Sequence, residues 1–133
     1  MERKIIQPAG LVPPSTPYSQ VVQASCSSFL FIAGQTGVDA QGNTMGSTIE
    51  EQMDQVFANL RIALEAANAG FSHVVKFNST VKIGHVEAYT QKRLKLFPSL
   101  YPNSDYPTNS IIIVPELPSP EWLVEIEAIA ALP

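Results

Sequence analysis

The sequence predicts an α+β fold in which one mixed sheet is covered on one face by two helices. Three observations lead to this prediction: an amphipathic helix over residues 47–70, alternating apolar and polar side chains over residues 75–83, and apolar, β-branched segments at residues 109–114 and 123–132. Two further strands are predicted before the first helix, and a second helix between the segments 75–83 and 109–114. Together these elements have the order of an α+β fold.

Length and composition indicate one domain that spans residues 1–133. Of the 133 residues, 45% are hydrophobic and 15% charged, which is enough apolar material for one core and too apolar for native disorder. The net charge of −4 offers no electrostatic footprint for nucleic acids or anionic membranes. No segment has the pattern of a membrane span or a secretory signal, so we expect a cytoplasmic protein.

Cysteine and histidine content supports neither a disulfide scaffold nor a zinc fold. Cys26 is the single cysteine, and His73 and His85 cannot complete a plausible zinc site with it. We expect Cys26 to be inert and both histidines to be solvated or to cap local backbone groups.

The segment 47–70 is the clearest predicted helix. Its apolar side chains recur every three or four residues, at Ile49, Met53, Val56, Phe57, Leu60, Ala63, Leu64 and Ala67. Ser47 and Glu50 have the spacing of a capping box, and Gly70 stands where a left-handed terminating residue is expected.

A strand and a second helix are predicted to follow. Over residues 75–83, apolar positions alternate with polar ones that include Lys76 and Lys82, the pattern of a strand with one face on a core. The second helix is predicted over residues 86–97, and Pro98 is expected to end it.

The N-terminal part is predicted to contain strands. Residues 19–24 and 29–33 are predicted as two strands joined by a polar turn, and residues 4–6 as an additional edge strand. The proline-rich residues 8–17 are interpreted as an extended surface loop.

The C-terminal segments 109–114 and 123–132 are predicted to form a closing hairpin or strand pair around a proline-bearing turn. Residues 123–132 carry apolar side chains on both faces of the predicted strand. Because a sheet that is apolar on both faces needs a second covering layer, we expect self-association.

The residues most unusual for their surroundings are Glu125 and Glu127, which share one face of this apolar strand. A carboxylate on a buried sheet needs a partner or a raised pKa, so the pair is a candidate for general acid/base chemistry. The alternative is that this face is solvated, or that each glutamate pairs with Lys76 or Lys82.

Gly34 follows the predicted strand 29–33 and is a candidate for bringing bare backbone N–H groups to a ligand. The interpretation we favour is a plain turn, because the segment lacks the residues of a phosphate-binding loop.

Several segments, taken in order, resemble the RidA (YjgF) family of small enamine/imine deaminases. The family's Pro-Tyr-Ser pattern is similar to residues 17–20, its Ser-Gly-Gln strand end to residues 32–35, and its Glu-Ile-Glu-Ala-Ile-Ala motif to residues 125–130. Further matches are Tyr106-Pro107, Ser110 and Leu117-Pro118. The resemblance covers nearly the whole chain.

This resemblance implies a chorismate-mutase-like subunit that forms a homotrimer, with sheets packed inward and ligand clefts between subunits. It implies hydrolysis of an imine to ammonia and a carbonyl product, with no metal or organic cofactor. Glu125 then holds the water or shuttles protons, Tyr18 and the segment around Ala33 and Gly34 line the cleft, and backbone groups near Ile111 contact the substrate.

The chain also departs from the family pattern. Asn109 stands where active members carry an arginine that binds the substrate carboxylate, and an amide supplies neither the charge nor the paired donors of a guanidinium. Ala33 replaces a frequent serine, and the asparagine of the second helix is absent. Lys92, Arg93 and Lys95 are interpreted as a solvated face, with the alternative that one of them restores the lost cation.

Two main hypotheses follow for function. In the first, the protein is a hydrolytic deaminase of a small imine or enamine other than a standard 2-iminoacid, with Glu125 as the catalytic group and Asn109 offering neutral hydrogen bonds. In the second, it is a non-catalytic module of the same fold that binds a small molecule or stabilises proteins. A remoter alternative is a Schiff base on Lys76 or Lys82.

Overall fold

Six strands and two helices follow one another in the predicted order. The computed structural model describes residues 1–133. The elements are β1 (Glu2–Ile6), β2 (Val21–Ser25), β3 (Ser28–Gln35), α1 (Ile49–Glu65), β4 (Val74–Lys82), α2 (Val86–Leu100), β5 (Thr108–Val114) and β6 (Val124–Leu132), with one turn of 3-10 helix at Phe71–His73 before β4.

The main sheet has four strands in the order β3-β6-β4-β5. β6 lies antiparallel to both of its neighbours, whereas β5 lies parallel to β4. The predicted pairing of the last two strands, as a closing hairpin or strand pair, is therefore wrong, because each of them pairs with β4 instead. The helix α2 carries the chain from β4 to β5 as a crossover, which places β5 at one edge, and β6 lies between β3 and β4.

The first two strands form a separate antiparallel ribbon, in which Glu2 lies opposite Ser25. The strands β2 and β3, which follow each other directly, belong to different sheets. The N-terminal segment thus joins β2 and is no edge of the main sheet. Residues 7–20 form no helix or strand, and half of them are exposed, chiefly in residues 9–15, as expected for a surface loop.

The ends of α1 differ from the predicted ones by a few residues. The N-cap is Thr48, whose Oγ1 accepts a hydrogen bond from the Glu51 N–H at 3.3 Å, one residue later than the predicted box. At the other end Asn68, with φ of 54°, takes the left-handed conformation predicted for Gly70. Asparagine tolerates this conformation better than most residues, because its short polar side chain bonds locally.

The helix α2 runs past Pro98 to Leu100. Proline costs the helix one N–H, but the hydrogen bond from the Tyr101 N–H to the Phe97 carbonyl oxygen, at 2.9 Å, keeps the last turn closed. The buried side chains of α2 are Tyr89, Arg93 and Phe97, spaced four residues apart.

Both helices pack on one face of the main sheet around a single cluster of 20 buried apolar residues. Three phenylalanines, one each from α1, β4 and α2, meet at the centre of this cluster. Phe57 of α1 lies 5.9 Å from Phe77 of β4 and 5.7 Å from Phe97 of α2, measured between ring centroids. These edge-on contacts hold the helices over the sheet, and the predicted α+β arrangement is confirmed.

The other face of the sheet carries large apolar side chains in contact with solvent. Phe29 and Phe31 of β3 are 56% and 73% exposed, and Ile112 of the edge strand is 55% exposed. Neither helix is long and apolar enough to cross a membrane.

Candidate functional site

A cleft on the open face of the sheet brings together the two glutamates. The strand pairing places Glu125 beside Thr80 and Glu127 beside Asn78, and Ile112 lies next to Thr80 on the edge strand. The cleft has a volume of about 330 Å³. Its lining, called the acidic cleft below, consists of Gly34, Asn78, Thr80, Ile112, Glu125 and Glu127.

The carboxylates of the acidic cleft have no cationic partner. Glu127 is exposed and accepts a hydrogen bond from Nδ2 of Asn78 at 2.7 Å. The Nζ of Lys82 donates to the Pro120 carbonyl oxygen instead, at 3.0 Å. The ion pairs of the chain join Arg3 to Asp105 and Lys92 to Asp54. The interpretation that lysines of β4 neutralise the glutamates is therefore wrong.

Gly34 lies inside β3 at an irregularity in the pairing with β6, so its interpretation as a plain turn is also wrong. A β-carbon built on Gly34 would lie 2.6 Å from Oε1 of Glu125. Any larger residue would collide with the carboxylate. The neighbouring Ala33 is exposed, and its carbonyl oxygen accepts a hydrogen bond from Nε2 of Gln35 at 3.1 Å.

Tyr18 lies in a different region, beside the start of β5. The loop around it is tied down by Ser19, whose N–H donates to the Pro107 carbonyl oxygen at 3.0 Å and whose hydroxyl donates to the Tyr106 carbonyl oxygen at 2.6 Å. Because Tyr106 and Pro107 lead into β5, these bonds hold the segment that contains Tyr18 beside the start of that strand.

Asn109 belongs to a closed ring of hydrogen bonds under the helices, called the Asn109 cluster below. The hydroxyl of Tyr89 donates to Oγ of Ser79 at 2.6 Å, and Ser79 donates to Oδ1 of Asn109 at 2.9 Å. The ring closes through a longer contact, 3.4 Å, from Nδ2 of Asn109 to the Tyr89 oxygen. Burial raises the pKa of Tyr89, against smaller opposing effects of Arg93 and of its hydrogen bonds, so the phenol acts as a neutral donor.

Arg93 lies on the other side of Tyr89, and its placement corrects the sequence-based interpretation of a solvated face. The residue is 2% exposed, its Nη2 donates to the Pro17 carbonyl oxygen at 2.6 Å, and its guanidinium stacks on Phe97 at 4.3 Å from the ring centroid. Its neighbours differ: Lys92 pairs with Asp54, and Lys95 is exposed. The four-residue spacing of Tyr89, Arg93 and Phe97 was the available signal.

The predicted site residues fall into two groups on opposite faces of the sheet. Glu125, Gly34 and Ala33 belong to the open face. Asn109 faces the helices, and Ile111, two residues along β5, shares that face. Ile111 is 41% exposed on the edge strand, whose outer backbone groups have no neighbouring strand. Within one chain, the two groups do not meet.

The remaining polar candidates form no further site. His73 caps local backbone as expected, since its Nδ1 accepts a hydrogen bond from the Gly70 N–H at 3.1 Å. Cys26 is a half-buried free thiol. No group of three or more His, Cys, Asp and Glu side chains lies close enough together to hold a metal ion.

Comparisons with known proteins match this architecture over almost the whole chain. The family model described as endoribonuclease L-PSP matches residues 10–132. The RutC family protein slr0709 of Synechocystis sp. is 36% identical over 135 residues, which cover 100% of this chain and 99% of that protein. The 2-iminobutanoate/2-iminopropanoate deaminase of Dermatophagoides farinae is 32% identical over 121 residues, covering 90% of this chain and 88% of that protein.

A solved structure has the same fold. The crystal structure of YyfB, a Rid-family protein of unknown function from Yersinia pestis, aligns with a TM-score of 0.87 at 35% identity and covers 99% of this chain and 100% of that one.

Proposed function

Because the chain belongs to the RidA (YjgF) family, we propose that it is a hydrolytic deaminase of a small reactive imine or enamine. The observation that carries this proposal is the unpaired carboxylate of Glu125 beside the bare backbone of Gly34, in a cleft large enough for a small metabolite. The relative from Dermatophagoides farinae, named as an iminobutanoate and iminopropanoate deaminase, supports the reaction class.

The proposed chemistry needs only water and a proton carrier. Glu125 accepts a proton from water as the oxygen attacks the imine carbon, and it returns a proton to the nitrogen, which leaves as ammonia. The balanced reaction converts one imine and one water into one carbonyl compound and one ammonia. Gly34 contributes space, since its missing side chain leaves the carboxylate room beside β3.

We propose that a complete cleft forms between copies of the chain in a homotrimer. Glu125 and Asn109 lie on opposite sheet faces of one copy, and the edge strand β5 and the apolar side chains of β3 are exposed. Packing the open faces inward buries Phe29 and Phe31 and allows the open face of one copy to approach the β5 edge of the next.

Asn109 supports a substrate other than a standard 2-iminoacid. Its amide oxygen is already used by Ser79, and one amide hydrogen points to Tyr89. The residue therefore offers one free amide hydrogen, whereas the arginine of active family members offers a positive charge and paired N–H donors.

The endoribonuclease in the description of the family model is a weaker candidate for this chain. RNA binding requires cations that contact phosphates. Here the net charge is −4, and the acidic cleft contains two carboxylates and no lysine or arginine.

The test is ammonia release from imines generated in solution by amine and amino-acid oxidases, measured against the spontaneous rate. We compare the wild type, Glu125→Gln, Asn109→Arg and, as a control, Glu116→Gln at an exposed turn outside the cleft. The proposal expects wild-type and control turnover of an imine other than a 2-iminoacid, with loss of 100-fold or more in Glu125→Gln, on the scale of general acid/base catalysis.

A binding module of the same fold is the second candidate, favoured by the enclosed position of Asn109. Equal ammonia release by the wild type and Glu125→Gln across the panel contradicts the deaminase. Activity on 2-iminoacids that appears only in Asn109→Arg indicates a competent scaffold that serves another role in the natural chain.

A further inference from the structure

The helix α1 carries a buried amide that contacts the chain just before β6. Gln52 is 0% exposed although its side chain is polar. Its Oε1 accepts a hydrogen bond from the Leu123 N–H at 2.8 Å, and its Nε2 donates to the Glu121 carbonyl oxygen, also at 2.8 Å. A longer contact of 3.4 Å joins Nε2 to the Gly46 carbonyl oxygen. Because a buried amide needs such partners, Gln52 and the entry to β6 hold each other in place.

A second amide of the same helix contacts the chain that leaves β3. Asn59 lies about two helical turns after Gln52, on the same side of α1. Its Nδ2 donates to the carbonyl oxygens of Thr36 and Val38, at 3.2 and 2.9 Å. Its Oδ1 accepts a hydrogen bond from Nε2 of Gln55 at 2.8 Å, which fixes the orientation of the amide.

The two anchored segments adjoin the acidic cleft. Gly34 is the last but one residue of β3, and Glu125 is the second residue of β6. The pairing of these strands is irregular between Ile32 and Gln35, so the backbone ladder constrains their spacing less at Gly34 than elsewhere. One helix therefore holds both strands close to the point where the ladder is weakest.

The helix also lies in direct contact with the exit of β3. A β-carbon built on Gly37 would lie 2.8 Å from the β-carbon of Gln52. The chain that leaves β3 therefore cannot move closer to α1, while the hydrogen bonds of Asn59 prevent it from moving away.

We propose that Gln52 and Asn59 are positioning residues for the deamination, because they set the separation between Gly34 and the carboxylate of Glu125. The proposal rests on the proposed function, which gives Glu125 the proton transfer. Neither amide lines the acidic cleft, so both act through the backbone of the strands that they hold.

The kinetic test removes each amide in turn. Gln52→Met keeps the length and volume of the side chain without its hydrogen bonds, and Asn59→Ala favours the helix, so it should fold. On an imine that the wild type hydrolyses, we expect kcat to fall by about 10-fold to 100-fold in each variant, because a displacement of about 1 Å at a catalytic group costs up to that factor. KM should change by less than about 3-fold, since the lost interaction acts in the transition state.

Leu64→Ala is the matched control for stability. Leu64 is 0% exposed in the last turn of α1 and contributes only apolar atoms to the core. Its truncation should destabilise the protein strongly and leave kcat unchanged below the unfolding transition. An equal loss of kcat in Leu64→Ala overturns the proposal, as does full kcat in the folded amide variants. If Gln52→Met does not fold, Asn59→Ala decides.

A second test needs no substrate, because it measures the separation of the two strands through Gly34→Ala. Without the amides the strands are free to move apart, so the loss of denaturation midpoint caused by Gly34→Ala should fall to about half or less in the Asn59→Ala and Gln52→Met backgrounds. In the Leu64→Ala background the loss should stay as large as in the wild type. An unchanged effect of Gly34→Ala in the amide variants overturns the positioning role, whatever their kcat.

The two tests together separate this proposal from the proposed function. A reduced effect of Gly34→Ala in the amide variants, with no imine hydrolysed by the wild type, supports the role of the amides while the deaminase proposal fails. Hydrolysis by the wild type, with full kcat in the folded amide variants, overturns the positioning role and leaves the deaminase standing.

Discussion

Gly34 and Glu125 lie in such close contact across β3 and β6 that a β-carbon on the glycine would approach Oε1 of the glutamate to 2.6 Å. The glycine does not adopt a positive φ, so the constraint is space rather than backbone conformation. The position of the carboxylate and the identity of residue 34 therefore depend on each other.

A double-mutant cycle tests this dependence. We expect Gly34→Ala to lower the free energy of unfolding by about 1–3 kcal/mol in the wild type, because the added methyl group overpacks the site. In a Glu125→Ala background the same change should be neutral or stabilising, by up to about 1 kcal/mol, since alanine loses less conformational entropy on folding than glycine. Chemical denaturation measures both.

Gly10→Ala serves as the control for this cycle, because no atom lies within 4 Å of a β-carbon at that position. Equal effects of Gly34→Ala in the two backgrounds would show that Glu125 imposes no constraint on residue 34.

The Asn109 cluster should behave as one unit. Ser79→Ala removes the acceptor of the buried Tyr89 hydroxyl, and we expect it to destabilise the protein by about 1–3 kcal/mol. Adding Tyr89→Phe removes the donor hydroxyl that Ser79→Ala leaves without an acceptor. The loss of unfolding free energy in the double variant should therefore be smaller than the sum of the losses in the two single variants. Thermal and denaturant unfolding of the four proteins measure the coupling, with the exposed Ser15→Ala as a control. If the destabilising effects of Ser79→Ala and Tyr89→Phe simply add, the two side chains are not coupled and the hydrogen-bonded ring is contradicted.

The buried hydroxyl of Tyr101 leads to a prediction about the stability of the protein at high pH. Its hydroxyl is buried without a hydrogen-bond partner, and desolvation raises its pKa strongly above the usual 10.0. Above about pH 10 the phenol ionises in the unfolded chain but stays protonated in the folded one. Tyr101 should therefore lower the free energy of unfolding of the wild type by about 1.4 kcal/mol for each further pH unit.

Tyr101→Phe should therefore flatten the loss of stability above pH 10. At neutral pH it should be neutral or stabilising by up to about 1 kcal/mol, because it removes a polar group that has no partner. Unfolding free energies between pH 7 and 11 measure both effects, and an unchanged alkaline slope would refute the assignment to this residue.

The exposed apolar side chains of β3 lead to a prediction about the oligomeric state of the protein. We expect the wild type to sediment as a trimer and Phe31→Glu to sediment as a monomer, because the change replaces a large apolar contact with a carboxylate that packing against another copy would bury without a partner. Ile62→Glu is the matched control, since Ile62 is 65% exposed on α1 away from the open sheet face. A wild type that sediments as a monomer at micromolar concentration would contradict the intersubunit cleft.

The elements with strong local signals were predictable from the sequence. The helix α1 follows from an apolar period of 3.6, and β4 from a period of two, because these repeats depend on backbone geometry alone. Glu125 was found for a similar reason: a carboxylate inside an apolar strand conflicts with its surroundings. Helix ends were less accurate, since Thr48 and Asn68 compete with equally plausible neighbours as caps.

The tertiary structure alone decided which residues face one another. Strand pairing inserts β6 between β3 and β4, and this register sets Glu125 against Gly34 while turning Asn109 to the opposite face. No local pattern encodes such pairing, because it depends on contacts between distant segments. Arg93 shows the same limit, since its four-residue spacing from Tyr89 and Phe97 agrees with a buried face while the flanking Lys92 and Lys95 are typical of a solvated one. Only the packing of α2 against Pro17 and Phe97 placed its charge in the interior.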